Sequence, residues 1–203
     1  MGNLIRQSGF RKHRSCQTAL IKSLNDWISA VDKNEIDGTL FLDLSKVCDL
    51  VNHAILLTTL SHYGLHNNTR TQHTLISGEQ STPGEVVAGV HQGSVLGPIL
   101  FLIYNNELTV VMSHSCAAIF ADDTTLSTHN KSLDVVITSL TNDLSHVDRW
   151  CQHNHMSINS DKSNVMFISS SRNRQILQSN TEIIQYICIF RFIRLELTSF
   201  IYS

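Results

Sequence analysis

Cys116-Ala117-Ala118-Ile119-Phe120-Ala121-Asp122-Asp123-Thr124-Thr125-Leu126-Ser127-Thr128 sets two adjacent carboxylates between two strand-like runs. The first run is small and apolar and the second is β-branched and alternating, which predicts a β-hairpin with the acids at its tip. Neighbouring carboxylates at the end of apolar strands repel each other, and a bound cation relieves that repulsion. A hard divalent ion such as Mg²⁺ takes carboxylate oxygens and keeps room for phosphate oxygens. An isolated Asp-Asp step is more often a solvated turn, so the surrounding sequence has to decide between the two.

Outward from the hairpin, the second informative acid is Asp43, in Thr39-Leu40-Phe41-Leu42-Asp43-Leu44. On a pleated strand Leu40, Leu42 and Leu44 share one face, while Phe41 and Asp43 share the other. A carboxylate in so apolar a strand is costly unless it is paired, protonated or bound to metal. Asp37-Gly38 before it reads as a turn. Further upstream, Ser15 is the expected N-cap of a helix to about Val31, with Leu20, Leu24, Trp27, Ile28 and Val31 on one face. Asn52 is the expected cap of a second helix, with Ile55, Leu56, Leu60 and Tyr63 on one side and Gly64 ending it. Leu65 to Gly84 is weakly patterned, and Glu85–Val90 is strand-like. His91-Gln92-Gly93-Ser94-Val95-Leu96-Gly97 is a loop, and Pro98 opens a buried helix to about Glu107. Without a Gly-Lys-Ser/Thr ending, this loop is not a phosphate-binding P-loop. After the hairpin, Leu133, Val136, Ile137, Leu140, Leu144, Val147 and Cys151 mark a long amphipathic helix. A turn over 154–160 and a strand over 162–168 follow, and the apolar tail from Gln185 has no pattern that places it.

A chain of 203 residues fits a single domain with a real core. Its formal charge of −2 argues mildly against a free-standing nucleic-acid binder. The five cysteines are scattered with no C-x-x-C pair, which favours reduced, intracellular thiols over a disulfide framework or a zinc site. Neither an apolar signal core nor a membrane-spanning run is present, so an intracellular protein without a membrane partner is expected.

The ordered series Gln7…Gly9-Phe10-Arg11, Phe41-Leu42-Asp43-Leu44-Ser45-Lys46…Asp49, Gly89-Val90-His91-Gln92-Gly93-Ser94-Val95-Leu96-Gly97-Pro98 and Phe120-Ala121-Asp122-Asp123 resembles the reverse transcriptase of non-LTR (LINE-type) retrotransposons. The likeness continues through Trp150-Cys151…Asn154…Met156…Asn159…Lys162-Ser163 and covers about residues 5 to 170.

The resemblance implies an α+β fold, a polymerase palm-like antiparallel sheet backed by helices, with a remnant of fingers and no recognisable thumb. Residues 1–38 would be the fingers remnant and connecting helix, 39–170 the palm, and 171–203 an unassigned tail. It implies RNA-directed DNA polymerase chemistry with two Mg²⁺ ions, Mn²⁺ being a substitute, about 3.5–4 Å apart. Asp43, Asp122 and Asp123 would be metal ligands together with the Leu44 carbonyl. Lys162 would protonate departing pyrophosphate as a general acid. Leu44, Cys48, Gln92 and Gly93 would border the incoming nucleotide and template, with Ser45, Lys46 and Asp49 in positioning roles. The implied partners are an RNA template, a DNA primer, deoxynucleoside triphosphates and the remainder of a longer polyprotein.

The departures from the family pattern are as informative. Cys48 stands where an aromatic usually excludes a 2′-hydroxyl, and His91 where proline stiffens the turn. The stretch between Tyr63 and Pro83 is short, and most of the basic fingers are missing. These features imply a truncated copy with impaired or no activity alone. The alternative from a different class is a non-catalytic relic or a domesticated nucleic-acid-binding or interaction module. A metal-dependent phosphohydrolase would need a substrate pocket and a water-activating base, neither of which the sequence offers.

Overall fold

The computed structural model describes residues 15–45, 47–65, 71–90, 93–120, 123–179 and 194–195. Helix α1 (Cys16–Asp32) starts at Ser15, whose hydroxyl accepts from the Thr18 amide while Thr18 Oγ1 accepts from the Ser15 amide, a reciprocal cap. Strand β1 (Ile36–Leu42) leads to the short helix α2 (Val47–Leu50) and to α3 (His53–His62). Asn52 caps α3 through the amides of Ala54 and Ile55. Gly64, at φ +77°, closes the helix in a Schellman arrangement, with Leu65 N–H on Leu60 O and Gly64 N–H on Ser61 O.

Four two-residue strands follow: β2 (Thr71–Gln72), β3 (Leu75–Ile76), β4 (Glu79–Gln80) and β5 (Gly84–Glu85), paired β2–β5 and β3–β4. Helix α4 (Gly97–Asn105), with a 3₁₀ turn at Asn106–Thr109, precedes β6 (Cys116–Phe120) and β7 (Asp123–Asn130). The long helix α5 (Leu133–His153), β8 (Asn164–Ile168), α6 (Arg174–Ser179) and β9 (Arg194–Leu195) complete the order.

The main sheet runs β6-β7-β1-β8-β9, antiparallel except for the β8–β9 pair at its edge. Its two faces differ in composition. Ala117, Ile119, Leu126, Leu40, Leu42, Val165 and Phe167 are buried on the face that α5 covers. The predicted stripe of α5 is core: Leu133, Val136, Leu140, Val147 and Cys151 are buried, with Ile137 and Leu144 packed against them. On the other face Thr39, Phe41, Thr125, Ser127, Asn164 and Met166 meet in register. Helix α1 covers only part of this second face, where Trp27 Nε1 donates to Thr39 Oγ1 at 2.9 Å. Burial there falls from Asp37 and Thr39, fully enclosed, to half-buried Phe41 and Asp43. The second face is therefore covered at one end of β1 and open at the other.

Three expectations need correction. Asp37-Gly38 is not a turn: both residues lie inside β1 and are buried. Gly38 is there because a Cβ would come within 2.6 Å of Val136 Cγ1 and 2.9 Å of Leu140 Cδ1, so its missing side chain lets α5 lie close to the sheet. The turn falls at Lys33-Asn34, with Asn34 at φ +57°. The apolar face expected of α1 is largely exposed at Leu20, Leu24 and Ile28. The helix packs instead through Ala19, Ser23, Trp27, Ala30 and Val31. Finally, Val86–Val90 is no sheet strand beyond one isolated Asn52–Ala88 bridge, because its backbone groups bond to the α2–α3 corner. Part of the unplaced tail joins the sheet, as β9 alongside Asn164 and Val165.

Candidate active site

Asp43 follows the last residue of the central strand. The β1–β7 register ends at Leu42 opposite Thr124, so Asp43 and Asp123 are the residues next beyond its last pair. The β6–β7 hairpin closes with Phe120 opposite Asp123, so only Ala121 and Asp122 separate the two strands. Asp122 itself lies outside the described residues, while Asp123 begins β7 and is exposed. The topology thus brings Asp43 and the Asp-Asp hairpin to one end of the open face. Among the described residues no three His, Cys, Asp or Glu side chains form a metal-holding group. The acidic side chains at this end carry hard carboxylate oxygens, the kind of donor a Mg²⁺-type ion takes.

The backbone around Asp43 is held from the side opposite β7. Asp43 N–H donates to Ser163 Oγ at 3.2 Å, and its carbonyl accepts from Asn159 N–H at 2.8 Å. Ser45 N–H donates to Ser157 O at 2.9 Å, and buried Leu44 bridges Ile158. This turn also carries Lys162, whose side chain is exposed. Asp43, Leu44 and Lys162 therefore belong to one backbone-bonded assembly.

The α2–α3 corner after β1 binds the segment that leads into the predicted loop. Cys48 is half-buried and its carbonyl accepts from Val90 N–H at 2.7 Å. Gly89 N–H donates to Val51 O, and the Gly89 carbonyl lies 2.7 Å from His53 Nε2. Gly89 adopts φ +94°, and a Cβ there would sit 3.3 Å from Asp49 O, so glycine serves both conformation and close approach. This docking holds Gly89 and Val90 against Cys48 and Val51. Gly93, at φ +83°, has nothing within 4 Å of where a Cβ would be, so its backbone conformation requires glycine rather than crowding. His91, Gln92 and Lys46 lie outside the described residues. Ser94 Oγ accepts from Gly97 N–H at 2.9 Å and so starts α4. Buried Tyr104 of α4 donates to Asn154 O at 2.9 Å and accepts from Asn52 N–H, joining the end of α5 to the α2–α3 corner.

Sequence reasoning gave no role to Ser163, which is wholly buried against Asp43. A single Ser before a strand carries no signal of its own, and only the 120-residue separation closed by the fold gives it meaning. Ser113, His114 and Asp143 also cluster, but both Ser113 Oγ and Asp143 Oδ1 lie on His114 Nδ1. A relay needs the two on opposite ring nitrogens, so this cluster is not a nucleophilic triad.

The sequence matches the family described as reverse transcriptase (RNA-dependent DNA polymerase) over residues 5–188. It is 26% identical to the RNA-directed DNA polymerase from mobile element jockey of Drosophila melanogaster, across 94% of this chain and 23% of that protein. It is 28% identical to the probable RNA-directed DNA polymerase from transposon X-element of the same species, across 78% of this chain and 19% of that protein. The chain thus spans about a fifth of the length of these curated relatives. Among solved structures it resembles telomerase from Candida albicans in complex with a fragment of telomeric RNA. The TM-score there is 0.53 at 14% identity, over 79% of this chain and 32% of that one. It also resembles apo telomerase from Candida tropicalis, with a TM-score of 0.51 at 12% identity, over 80% of this chain and 36% of that one. At these identities the structural likeness speaks for the fold, and the match over most of the sequence speaks for the lineage: the chain belongs to the reverse transcriptase (RNA-dependent DNA polymerase) family.

Proposed function

We propose that this chain is the palm-centred part of an RNA-directed DNA polymerase from a LINE-type retrotransposon, built for two-metal nucleotidyl transfer and impaired when alone. The observation that carries it is the register that sets Asp43, at the open end of β1, beside the hairpin bearing Asp122 and Asp123. The palm centres on residues 39–170, with β1 entering its sheet from Ile36 and β9 of the 171–203 tail at the sheet edge, and the residues before β1 form the fingers remnant with its connecting helix. Asp43, Asp122, Asp123 and the Leu44 carbonyl would hold two divalent ions, which supply activation of a primer 3′-hydroxyl and charge stabilisation at the triphosphate. Cys48, Gln92 and Gly93 border the nucleotide, and Lys162 gives a proton to the departing pyrophosphate. RNA template, DNA primer and deoxynucleoside triphosphate are the partners, with the rest of a longer polyprotein supplying grip on the duplex. No helix among the described residues is long and apolar enough to cross a membrane, and an intracellular setting accords with this chemistry.

Primer extension on an RNA template with Mg²⁺ or Mn²⁺ tests the reading, using this chain and the same chain lengthened at both ends to match its relatives. Extension by the lengthened protein that disappears in Asp122→Ala and Asp43→Ala is expected. Salt-dependent binding of primer–template with no extension by either form would instead support a non-catalytic binding module.

A further inference from the structure

The β1–β8 ladder stops at the Phe41–Asn164 pair, two residues short of Asp43. Beyond that rung β8 bends away into the turn Asn159–Ser163, and Asp43 loses the strand neighbour that would have fixed its amide. A side chain takes over that bond. Ser163 Oγ accepts from Asp43 N–H and donates to Asn159 O at 2.8 Å. The same Asn159 carbonyl accepts from Ser163 N–H at 3.0 Å and from Lys162 N–H at 3.3 Å. The Asn159 amide returns to the Asp43 carbonyl at 2.8 Å. Both backbone groups of Asp43 therefore bond to a turn drawn together around one carbonyl, and that turn carries Lys162. Ser163 is wholly buried, so water does not compete for its hydroxyl.

We propose that Ser163 is a positioning residue that locks the Asp43 backbone to the Lys162 turn, aiming the Asp43 carboxylate for divalent-ion binding and holding Lys162 in the same frame. This rests on the proposed metal role of Asp43. The hydroxyl is suited to the task because it donates and accepts at once, which alanine cannot do. A half-buried carboxylate at a strand end has no ladder to orient it, so losing the amide bond frees the backbone that aims it. Groups that orient metal ligands in this way are typically worth about 10–100-fold in metal affinity.

Mn²⁺ binding to the 203-residue chain, followed by the electron paramagnetic resonance signal of the free ion, tests this without requiring turnover. Wild type, Ser163→Ala, Ser163→Thr and Asp43→Asn are compared, each shown to be folded by circular dichroism in metal-free buffer. The expected result is a roughly tenfold or greater loss of Mn²⁺ affinity in Ser163→Ala and near-wild-type affinity in Ser163→Thr, which keeps the hydroxyl. If Ser163→Ala does not fold, Ser163→Cys carries the comparison, because its thiol fills the same space but accepts only weakly. A Ser163→Ala protein that melts earlier yet binds Mn²⁺ as tightly as wild type would overturn the proposal and leave Ser163 a purely structural residue. Absence of Mn²⁺ binding by wild type, or binding unchanged in Asp43→Asn, would overturn the metal role of Asp43 itself and the proposal with it.

Discussion

Asp37 and Asp143 are both fully enclosed, yet their surroundings drive them in opposite directions. Burial pushes the Asp37 carboxyl up to about 6, against partial relief from the Thr39 hydroxyl and His129, and Asp26 of α1 adds to the rise. Only Oδ1 is bonded, by Thr39 Oγ1 at 2.7 Å, while Oδ2 lies 4.0 Å from His129 Nδ1 with no hydrogen bond. The other ring nitrogen of His129 lies 3.8 Å from Glu35 Oε2, so this histidine is shared between two acids. An unfolded aspartate titrates near 3.9, so the folded protein holds an extra proton between about pH 4 and pH 6. The associated stability is complete below about pH 4 and is lost as the pH rises through 6, after which the buried charge costs roughly 3 kcal/mol. Asp37→Asn is therefore expected to raise the melting temperature at pH 7 to 8 and to change it little at pH 4. A melting series across that range, beside wild type, checks both. At Asp143 burial also pushes upward, and the Ser115 hydroxyl lies beside the carboxylate without a well-formed bond. The amides of Ser113 and His114 and the His114 ring outweigh the burial and hold the carboxyl below its ordinary value. Its stabilising effect is present above about pH 4 and is lost as the pH falls further. Asp143→Ala should cost about 2 kcal/mol or more at neutral pH by stranding those amides. The deficit should narrow in acid, which urea titration at two pH values measures.

At the scale of elements, β1 and α5 are joined through a glycine. Gly38→Ala would drive a methyl into Val136 Cγ1, a stiff β-branched group that is itself fully buried. Overpacking of this kind costs about 1–3 kcal/mol, and Val136→Ala should recover part of it by opening the space. A double-mutant cycle in urea is the measurement, and additive losses would contradict the contact. Helix α1 gives the contrary case. Leu24→Gln and Ile28→Gln should each cost under about 1 kcal/mol because both side chains are substantially exposed. Leu140→Ala, at the equivalent place in the stripe of α5, should cost about 2–5 kcal/mol.

The same elements show how far sequence reasoning reaches. The helical stripe of α5 was legible because a long helix against a sheet needs an unbroken apolar face. The stripe of α1 misled because an apolar face says nothing about which neighbour covers it. Asp37-Gly38 carries the signature of a turn, and only the facing Val136 and Leu140 show that its glycine serves packing. Asp43 stood out because it alternates with Leu40 and Leu42. Ser163 did not, since its partner lies 120 residues away.

For the whole molecule, the deciding feature is how little of the chain can grip a polyanion. The formal charge is −2, and the basic residues at the start of the sequence, Arg6, Arg11, Lys12 and Arg14, lie outside the described structure. The ion pairs at Asp143, Glu35 and Asp37 use histidine, and Lys162 stands exposed beside the proposed site. A palm can aim carboxylates at metal ions, but phosphoryl transfer also needs triphosphate and primer held in line, and much of the rate comes from that positioning. A formal charge of −2 also gives little electrostatic help in gathering a polyanion. The 203-residue chain is therefore expected to extend a primer far more slowly than a form lengthened at both ends to the span of its relatives. Changing Cys48 to an aromatic and His91 to proline should tighten nucleotide discrimination in the lengthened form and should not rescue the short one. Single-turnover extension assays on both forms, at matched Mg²⁺ and low salt, measure this directly. Processive extension by the unmodified chain, abolished by Asp122→Ala, would show instead that the sheet, its acids and the Lys162 turn suffice as a minimal polymerase.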